Sequence, residues 1–566
     1  MRWILPEKQD EDKVKLLSAK SGVPLPFATV LLSRGIDNPA QLYRFISPKL
    51  SQLTDPFLLP GLEKATERIL LALRRKEKIG IFGDYDVDGL SSVALLYLVL
   101  LELGADMCWY IPSRLHDGYG LSKHGIKRLQ AEGVSLIITV DCGVSDIESV
   151  KYASALGIDC IITDHHELPE ELPPAYAIVN PKLPDAPDVT RELAGVGVAF
   201  KLAQGIYSAL GLDGKGLYRH LDLVALGTAA DIVPLVDENR TLVKFGLEQL
   251  ARTRKPGLRT LIEMCGLAGS ELSTSNIVFT LGPRLNSAGR IGSAYASLKL
   301  LTTFNYSLAK KIAKLLEADN EKRRKFDDET VLQAEKKLEM LNKDEWRKII
   351  VLSDPNWHIG VIGIVASRLI DKYYRPTILI TTRGGIGKGS ARSINGFHIL
   401  EAIKSCGDYL RRCGGHKHAA GLTIEPSQIE NFKRAITRYA EKHLPDDLLE
   451  PTLEIDGYLT SSQLSIDLLK WVRYLAPYGP QNMRPVFLMD DVSLIGEPRL
   501  VGDNHLLFRV MGAKRAFDVI GFGFGEKITE LRAKRDVKLA FVLENSTYSG
   551  REELKLRVKD MKFDGK

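Results

Sequence analysis

Cysteine is scarce in this sequence and never closely paired: six residues, at positions 108, 142, 160, 265, 406 and 413, with no C-x-x-C spacing. That pattern excludes a disulfide framework and a thiolate-built zinc site, and it fits the reducing cytoplasm. Long apolar runs are missing too. The most apolar stretch, Leu90 to Leu103 (LSSVALLYLVLLEL), is shorter than the ~20 residues of a bilayer-spanning helix and carries Glu102. It reads as a helix buried between layers of a domain, and no membrane association is expected. The N-terminal MRWILPEKQDEDK has no apolar core of signal-peptide length, so no export is expected either. Neither charge dominates: 77 Lys and Arg against 71 Asp and Glu give +6, which permits a polyanionic partner without requiring one. Repeats and low-complexity tracts are absent. RGGIGKGS breaks the P-loop spacing because Gly389 follows Lys388, and GVGVAF and GFGFG lack the complete G-x-G-x-x-G pattern. ATP and NAD binding are therefore not supported.

What is present is a chain of 566 residues, 45% hydrophobic and 26% charged, enough for several globular domains. From Lys76 to about Val233 short apolar runs (KIGIFGDYD, MCWYIPS, LIITVDCG, CIITDHHE) alternate with helical or loop segments, the order of βαβ units on a parallel sheet. Residues 191–300 read as mainly helical and complete this first α/β domain. A run rich in Ala, Leu, Lys and Glu, free of Gly and Pro from Ser307 to Trp346, predicts one long helix of ~60 Å. A smaller α/β domain follows, with strands KIIVLSD and RPTILIT and the glycine-rich RGGIGKGSARS and CGGHKHAAGLTI. Beyond HLPDDLLEPTLE, five short apolar runs have the spacing of an antiparallel OB-like β-barrel. The expected division is an N-terminal segment 1–60, a parallel-sheet domain 61–303, a connecting helix 304–346, a second α/β domain 347–445 and the barrel 446–566.

Carboxylates cluster at predicted strand ends, the edge where open parallel sheets bind ligands. Gly83-Asp84-Tyr85-Asp86-Val87-Asp88-Gly89 places three alternate acids between a strand and a helix. Hard divalent cations would relieve their repulsion, although a turn with solvated acids accounts for the motif equally well in isolation. An EF-hand is excluded, since the twelfth position from Asp84 is Leu95. Asp141 ends a second strand, where it could equally cap a helix. Asp164-His165-His166 ends a third, and Asp231 stands in the apolar GTAADIVP, where unpartnered burial would be costly. Carboxylate and imidazole donors without thiolates suit Mn²⁺ or Mg²⁺. Two such ions would serve phosphate-ester hydrolysis.

The set GDYDVDG, VDCG, DHH and GTAAD resembles the DHH phosphoesterase superfamily, and GGHKHAAG, LGPRLNSAGR and GSARS resemble its bacterial RecJ branch. The resemblance implies a DHH domain, a DHHA1 domain and an OB-like nucleic-acid-binding domain. It implies a single-stranded-DNA-specific 5′→3′ exonuclease releasing mononucleotides in DNA repair and recombination. Asp86, Asp88, Asp141, His165 and Asp231 would ligate two Mn²⁺ or Mg²⁺ ions, Asp84 would support or join them, and His166 would contact the scissile phosphate. Arg114, Arg290, Ser390 and Arg392 match positions that bind nucleotide phosphates, including the 5′-terminal one; Gly415 and His416 match the DHHA1 substrate motif. Cys142 departs from the family, whose members often carry Asn there. Single-stranded DNA is the implied partner, joined on resemblance alone by single-strand-binding protein and a RecQ-type helicase. Two other readings stay open: a DHH phosphoesterase for short oligonucleotides or cyclic dinucleotides, and a non-catalytic DNA-binding replication scaffold. In the barrel the basic clusters are Lys514, Arg515, Arg532, Lys534, Arg535 and Lys538 in a nearly charge-balanced segment.

Overall fold

The computed structural model describes residues 1–113, 118, 120–511, 516–533, 536–548 and 551–563. The chain forms two compact units, one of Met1–Leu53, Pro234–Val236 and Thr452–Lys566, the other of Thr54–Val233 and Asp237–Pro451.

In the second unit, β1 (Lys78–Gly83), β2 (Met107–Tyr110), β3 (Val134–Val140), β4 (Asp159–Thr163) and β5 (Ala177–Val179) form a parallel sheet in the order β2-β1-β3-β4-β5. Burial on both faces explains why β1, β3 and β4 read as nearly continuous apolar runs. The chain leaves β1 for β2 on one side and β3 on the other, so the crevice beyond the strand ends opens at β1 and β3. Helix α1 (Val87–Glu102) fills the space behind them and is buried almost all round, as its lack of a polar face requires. It packs against α2 (Gly195–Ala209) and α3 (Leu221–Ala230). Helix α4 (Gly282–Ile291) is entered through a π-helical turn, Ile277–Leu281.

Helix α5 (Tyr306–Met340) is the long connector. At 1.5 Å per residue it spans ~50 Å, less than predicted. It stops because Asn342 caps a separate 3₁₀ turn, accepting from Asp344 N while Glu345 Oε1 accepts from Asn342 N. Neither Gly nor Pro is needed for that break. A stripe running from Ala309, Ala313 and Leu316 to Ala334 and Leu338 is buried, first against α4 and then against α6 (Ile362–Tyr373). The second sheet joins β6 (Ile350–Asp354), β7 (Thr377–Thr381), β8 (Gly387–Arg392), β9 (Leu410–Gly415) and β10 (Ala419–Ile424) in the order β9-β10-β8-β7-β6, with only β6 and β7 parallel. Ile429, Phe432, Ile436 and Ala440 of the helix Ile429–His443 join this sheet's core at helical spacing.

The first unit contains strands Phe487–Val501, His505–Met511, Ala516–Phe522, Arg551–Phe563 and Asp536–Tyr548, paired successively in that order and from the last back to the first, an OB-like arrangement that departs from the antiparallel expectation where Ala516–Phe522 and Arg551–Phe563 pair in parallel. Its core also contains Leu17, Phe27, Val30 and Leu31 from the bent helix pair Glu11–Ser21 and Leu25–Ser33, beside Leu468, Val472, Phe487 and Phe541. Strand Arg2–Ile4 runs parallel to Thr452–Glu454. Two ends of the chain thus share one core, a long-range partnership that no local pattern signals. Among the described residues no single helix is long and apolar enough to cross a membrane. Lys514, Arg515, Lys534 and Arg535 lie outside the described residues.

Candidate metal centre and active site

Register builds the site. Gly83 pairs with Val140, Val140 with Thr163, and Thr163 with Val179, so the next residues, Asp84, Asp141, Asp164 and Asn180, form a row across four strand ends. Glycines let the first turn of α1 close on this row: a Cβ on Gly83 would lie 2.2 Å from Val93 Cγ2, and one on Gly89 2.6 Å from Asp84 O. Asp86 caps α1, its Oδ1 accepting from Asp88 N and Gly89 N at 3.0 Å each. Asp88 is buried, with Oδ2 accepting from Gly195 N at 2.7 Å and Oδ1 from Val196 N at 2.9 Å at the start of α2. Asp141 has φ +59°, an uncommon backbone for a non-glycine residue that turns it back over the sheet edge. Gly195 stands so close that a Cβ there would lie 2.7 Å from Asp141 Cβ.

His165 Nε2 lies 3.1 Å from Asp141 Oδ1, 3.6 Å from Asp231 Oδ2 at the end of α3, and 3.9 Å from Asp88 Oδ2, and it makes no hydrogen bond. Burial first, then the neighbouring His166, depress the His165 pKa to about 3, so its imidazole is neutral. The carboxylates move the opposite way. Burial, then repulsion from Asp86, raises Asp88 to about 7 despite the two amides that favour its anion. Burial and the same crowding push Asp141 and Asp231 well above the carboxylate range. Without added positive charge this cluster cannot fully ionise.

The donor set fits hard divalent ions. Three groups, Asp84 with Asp86 and Asp141, Asp88 with His165 and Asp231, and Asp141 with His165 and His166, each bring ligand atoms within 4.8 Å of one another. A neutral imidazole whose unbonded nitrogen converges with carboxylates is what a mixed N/O metal site needs. Asp141 belongs to two groups, and His165 likewise.

Asp164 plays a different part, which its place in the D-H-H triplet does not reveal. Its Oδ1 accepts from His165 N, His166 N and His166 Nδ1 at 2.8, 3.2 and 2.7 Å, and its Oδ2 from Val144 N at 3.0 Å. It folds the loop and orients the His166 ring. Burial alone would lower the His166 pKa, but the Asp164 bond and the surrounding carboxylates bring it above its ordinary value. Sequence reasoning also missed Asn180, fully buried, whose Nδ2 donates to His166 O at 3.0 Å and whose Oδ1 accepts from Lys182 N at 2.8 Å. Its signal was available: a polar residue ending the apolar run AIV, as Asp84, Asp141 and Asp164 end theirs. Cys142 is buried and points its thiol to Phe82 O at 3.9 Å.

With this geometry in place, the comparisons are specific. The DHH family N-terminal domain model matches residues 78–228, the DHHA1 domain model 347–442 and the RecJ OB domain model 455–560. The single-stranded-DNA-specific exonuclease RecJ of Bacillus subtilis is 35% identical over 564 residues, covering 99% of this chain and 70% of that protein. The chain belongs to the RecJ family. The crystal structure of Thermus thermophilus RecJ in complex with Mn²⁺ superposes with a TM-score of 0.86 at 30% identity, covering 100% of this chain and 80% of that one. Its complex with Mg²⁺ gives 0.81 at 30% identity, covering 100% and 79%.

The remaining RecJ-like positions fall into two places. His416 meets the D-H-H loop: its ring stacks on that of His166, with centroids 5.8 Å apart and planes 21° apart. Gly415, at φ +141°, makes the β9–β10 hairpin possible, since a Cβ there would lie 2.3 Å from Ala419 O. Ser390 and Arg392 on β8 face the start of α6, where a Cβ on Gly363 would lie 2.8 Å from Ser390 Oγ and 3.0 Å from Arg392 Nη2. Arg392 Nη1 donates to Ser390 Oγ at 3.2 Å and Ala391 O at 2.8 Å. Arg290, at the end of α4, donates from Nη1 to Gly360 O at 3.2 Å just ahead of α6. Arg114 lies outside the described residues. Trp357 is a core residue, its Nε1 bonded to Gln333 Oε1 at 3.0 Å.

Proposed function

We propose that this chain is a metal-dependent exonuclease that hydrolyses single-stranded DNA from its 5′ end to mononucleotides. The observation that carries the reading is the convergence of Asp84, Asp86, Asp88, Asp141, His165 and Asp231 on one sheet edge, in a chain related over nearly its whole length to single-stranded-DNA-specific exonucleases. Asp86, Asp88, Asp141, His165 and Asp231 would hold two Mn²⁺ or Mg²⁺ ions, with Asp84 supporting or joining them. Such ions, when bound, activate water and stabilise the charge of the displaced oxygen. The chain itself supplies orientation: the amides of Gly195 and Val196 fix Asp88, and Asp164 fixes the ring of His166, which would contact the scissile phosphate. His416, stacked on that ring, and Gly415 would form the substrate side of the DHHA1 domain. Ser390, Arg392, Arg290 and Arg114 would receive the terminal 5′-phosphate through charge-assisted hydrogen bonds. The OB-like domain would extend the binding of the strand. The working environment is the cytoplasm, with single-strand-binding protein and a RecQ-type helicase as protein partners in repair and recombination.

One single strand labelled separately at each end, incubated with Mn²⁺ and either the native chain or Asp141→Ala, tests this. Immediate release of a 5′-labelled mononucleotide, lost in the variant, is the expected result. Binding without release would favour a scaffold, and cleavage confined to very short strands would favour an oligonucleotide phosphoesterase.

A further inference from the structure

Beyond β5 the chain turns at Asn180 and presents Lys182 at the end of the strand row, on the side opposite β2. The placement is fixed: Asn180 is buried and ties the Lys182 amide to the His166 carbonyl through two side-chain hydrogen bonds. The Lys182 ammonium, itself three-quarters covered, bonds Glu167 Oε1 at 2.6 Å, and Glu167 directly follows His166. The His166 ring beside that pair lies with its centroid 4.6 Å from that of His165 and 5.8 Å from that of His416, so Lys182 is tied to the loop where the donors and the DHHA1 histidine meet. Glu167 is 71% exposed, so its ion pair with Lys182 is screened and weak, and the ammonium can exchange it for another anion at little cost.

Charge balance gives that anion its identity. Asp84, Asp86, Asp88, Asp141 and Asp231 together outweigh two divalent ions by one negative charge, and a polyanionic strand crossing them needs further cations. Direction follows from the sheet order. The cleft between Tyr110–Ser113 and Gly289–Tyr295 lies at the β2 and β1 side, where a Cβ on Gly289 would be 3.2 Å from Tyr85 O, and Arg290 belongs to that segment. Arg290, next to Gly289, is therefore at the β2 and β1 side of the strand row, and Lys182 is at its β5 end.

We infer that Lys182 is a substrate-positioning residue that binds the phosphate immediately 3′ of the scissile one, exchanging Glu167 for it as the strand enters. The inference deepens the exonuclease reading and rests on it. The full chain with Mn²⁺ is assayed on a 5′-phosphorylated single strand carrying either native linkages or an uncharged methylphosphonate at the second internucleotide linkage. Lys182→Ala and the methylphosphonate should each lower kcat/KM about tenfold, the size of one lost charge-assisted contact, and together should lower it little further. The slope of log kcat/KM against log salt should become shallower by ~0.7 in Lys182→Ala. Lys182→Arg should restore most of the loss, and Glu167→Gln should stay near the native value. Additive losses, an unchanged slope, or a Glu167→Gln defect equal to that of Lys182→Ala would overturn the inference, the last by making Lys182 a strut for Glu167. A native chain that does not hydrolyse the strand at all would instead overturn the exonuclease reading beneath it.

Discussion

The two sheets of the second unit place opposite chemistry at their working edges, and they hold it by different means. On the parallel sheet, Asp84, Asp88, Asp141 and Asp164 are buried, and backbone amides and glycine contacts fix Asp88, Asp141 and Asp164. On the mixed sheet, Ser390, Arg392 and the His416 hairpin are partly exposed. The difference matches the lifetime of what each would bind. Buried carboxylates that repel one another need a resident counter-charge held in fixed geometry, whereas a phosphate arriving and leaving at every cycle is better met by hydrated donors that exchange partners cheaply.

That contrast breaks most sharply on the parallel side. Asp141→Ala removes an acid shared by two of the three donor groups, and hydrolysis of a labelled strand should fall by ~10³-fold or more, with strand affinity nearly unchanged. Asp164→Ala should leave the other carboxylates in place but free the ring of His166 and three backbone amides. Loss of such a supporting partner typically costs ~10–100-fold in activity or metal affinity, and calorimetric Mn²⁺ titration alongside turnover would show which. Gly195→Ala should be milder. Its added methyl would press on Asp141, and ~1–3 kcal/mol of crowding should appear as weaker Mn²⁺ binding with little change in strand affinity. If Gly195→Ala bound Mn²⁺ normally, the fixed geometry claimed for this edge would be wrong.

The same contrast governs what the sequence discloses. Acids at strand ends are legible because parallel strands are short apolar runs and their C-terminal ends are the ligand edge, so GDYDVDG, VDCG and DHH announce a site in one dimension. Their register is not legible: that Asp84, Asp141, Asp164 and Asn180 form one row depends on the pairing of four strands. The roles within DHH are also hidden, since nothing local says that the Asp turns inward to the backbone while His165 turns towards the donors. On the mixed sheet, GSARS and GGHKHAAG carry meaning mainly through family resemblance, because exposed Ser, Arg and Gly have many uses. The N-terminal helices lie at the far extreme. Phe27 and Phe541 share a core across the whole chain, and nothing in the local sequence around Phe27 names that partner.

The smallest expected effect is the one that tests the mixed sheet on its own terms. Arg392→Ala removes a guanidinium that donates to Ser390 Oγ and to the main chain of β8 at Ala391 O. If this edge reads a terminal phosphate, kcat/KM on 5′-phosphorylated strands should fall about tenfold, the scale of one charge-assisted contact, while 5′-hydroxyl strands and Mn²⁺ affinity hardly change. Arg392→Lys should recover only part of the preference, because an ammonium keeps the charge but not the planar fork. Equal losses on both kinds of end would mean that Arg392 packs α6 against β8 and recognises nothing. The two edges would then differ in exposure alone, and end recognition would have to come from Arg290 and Arg114.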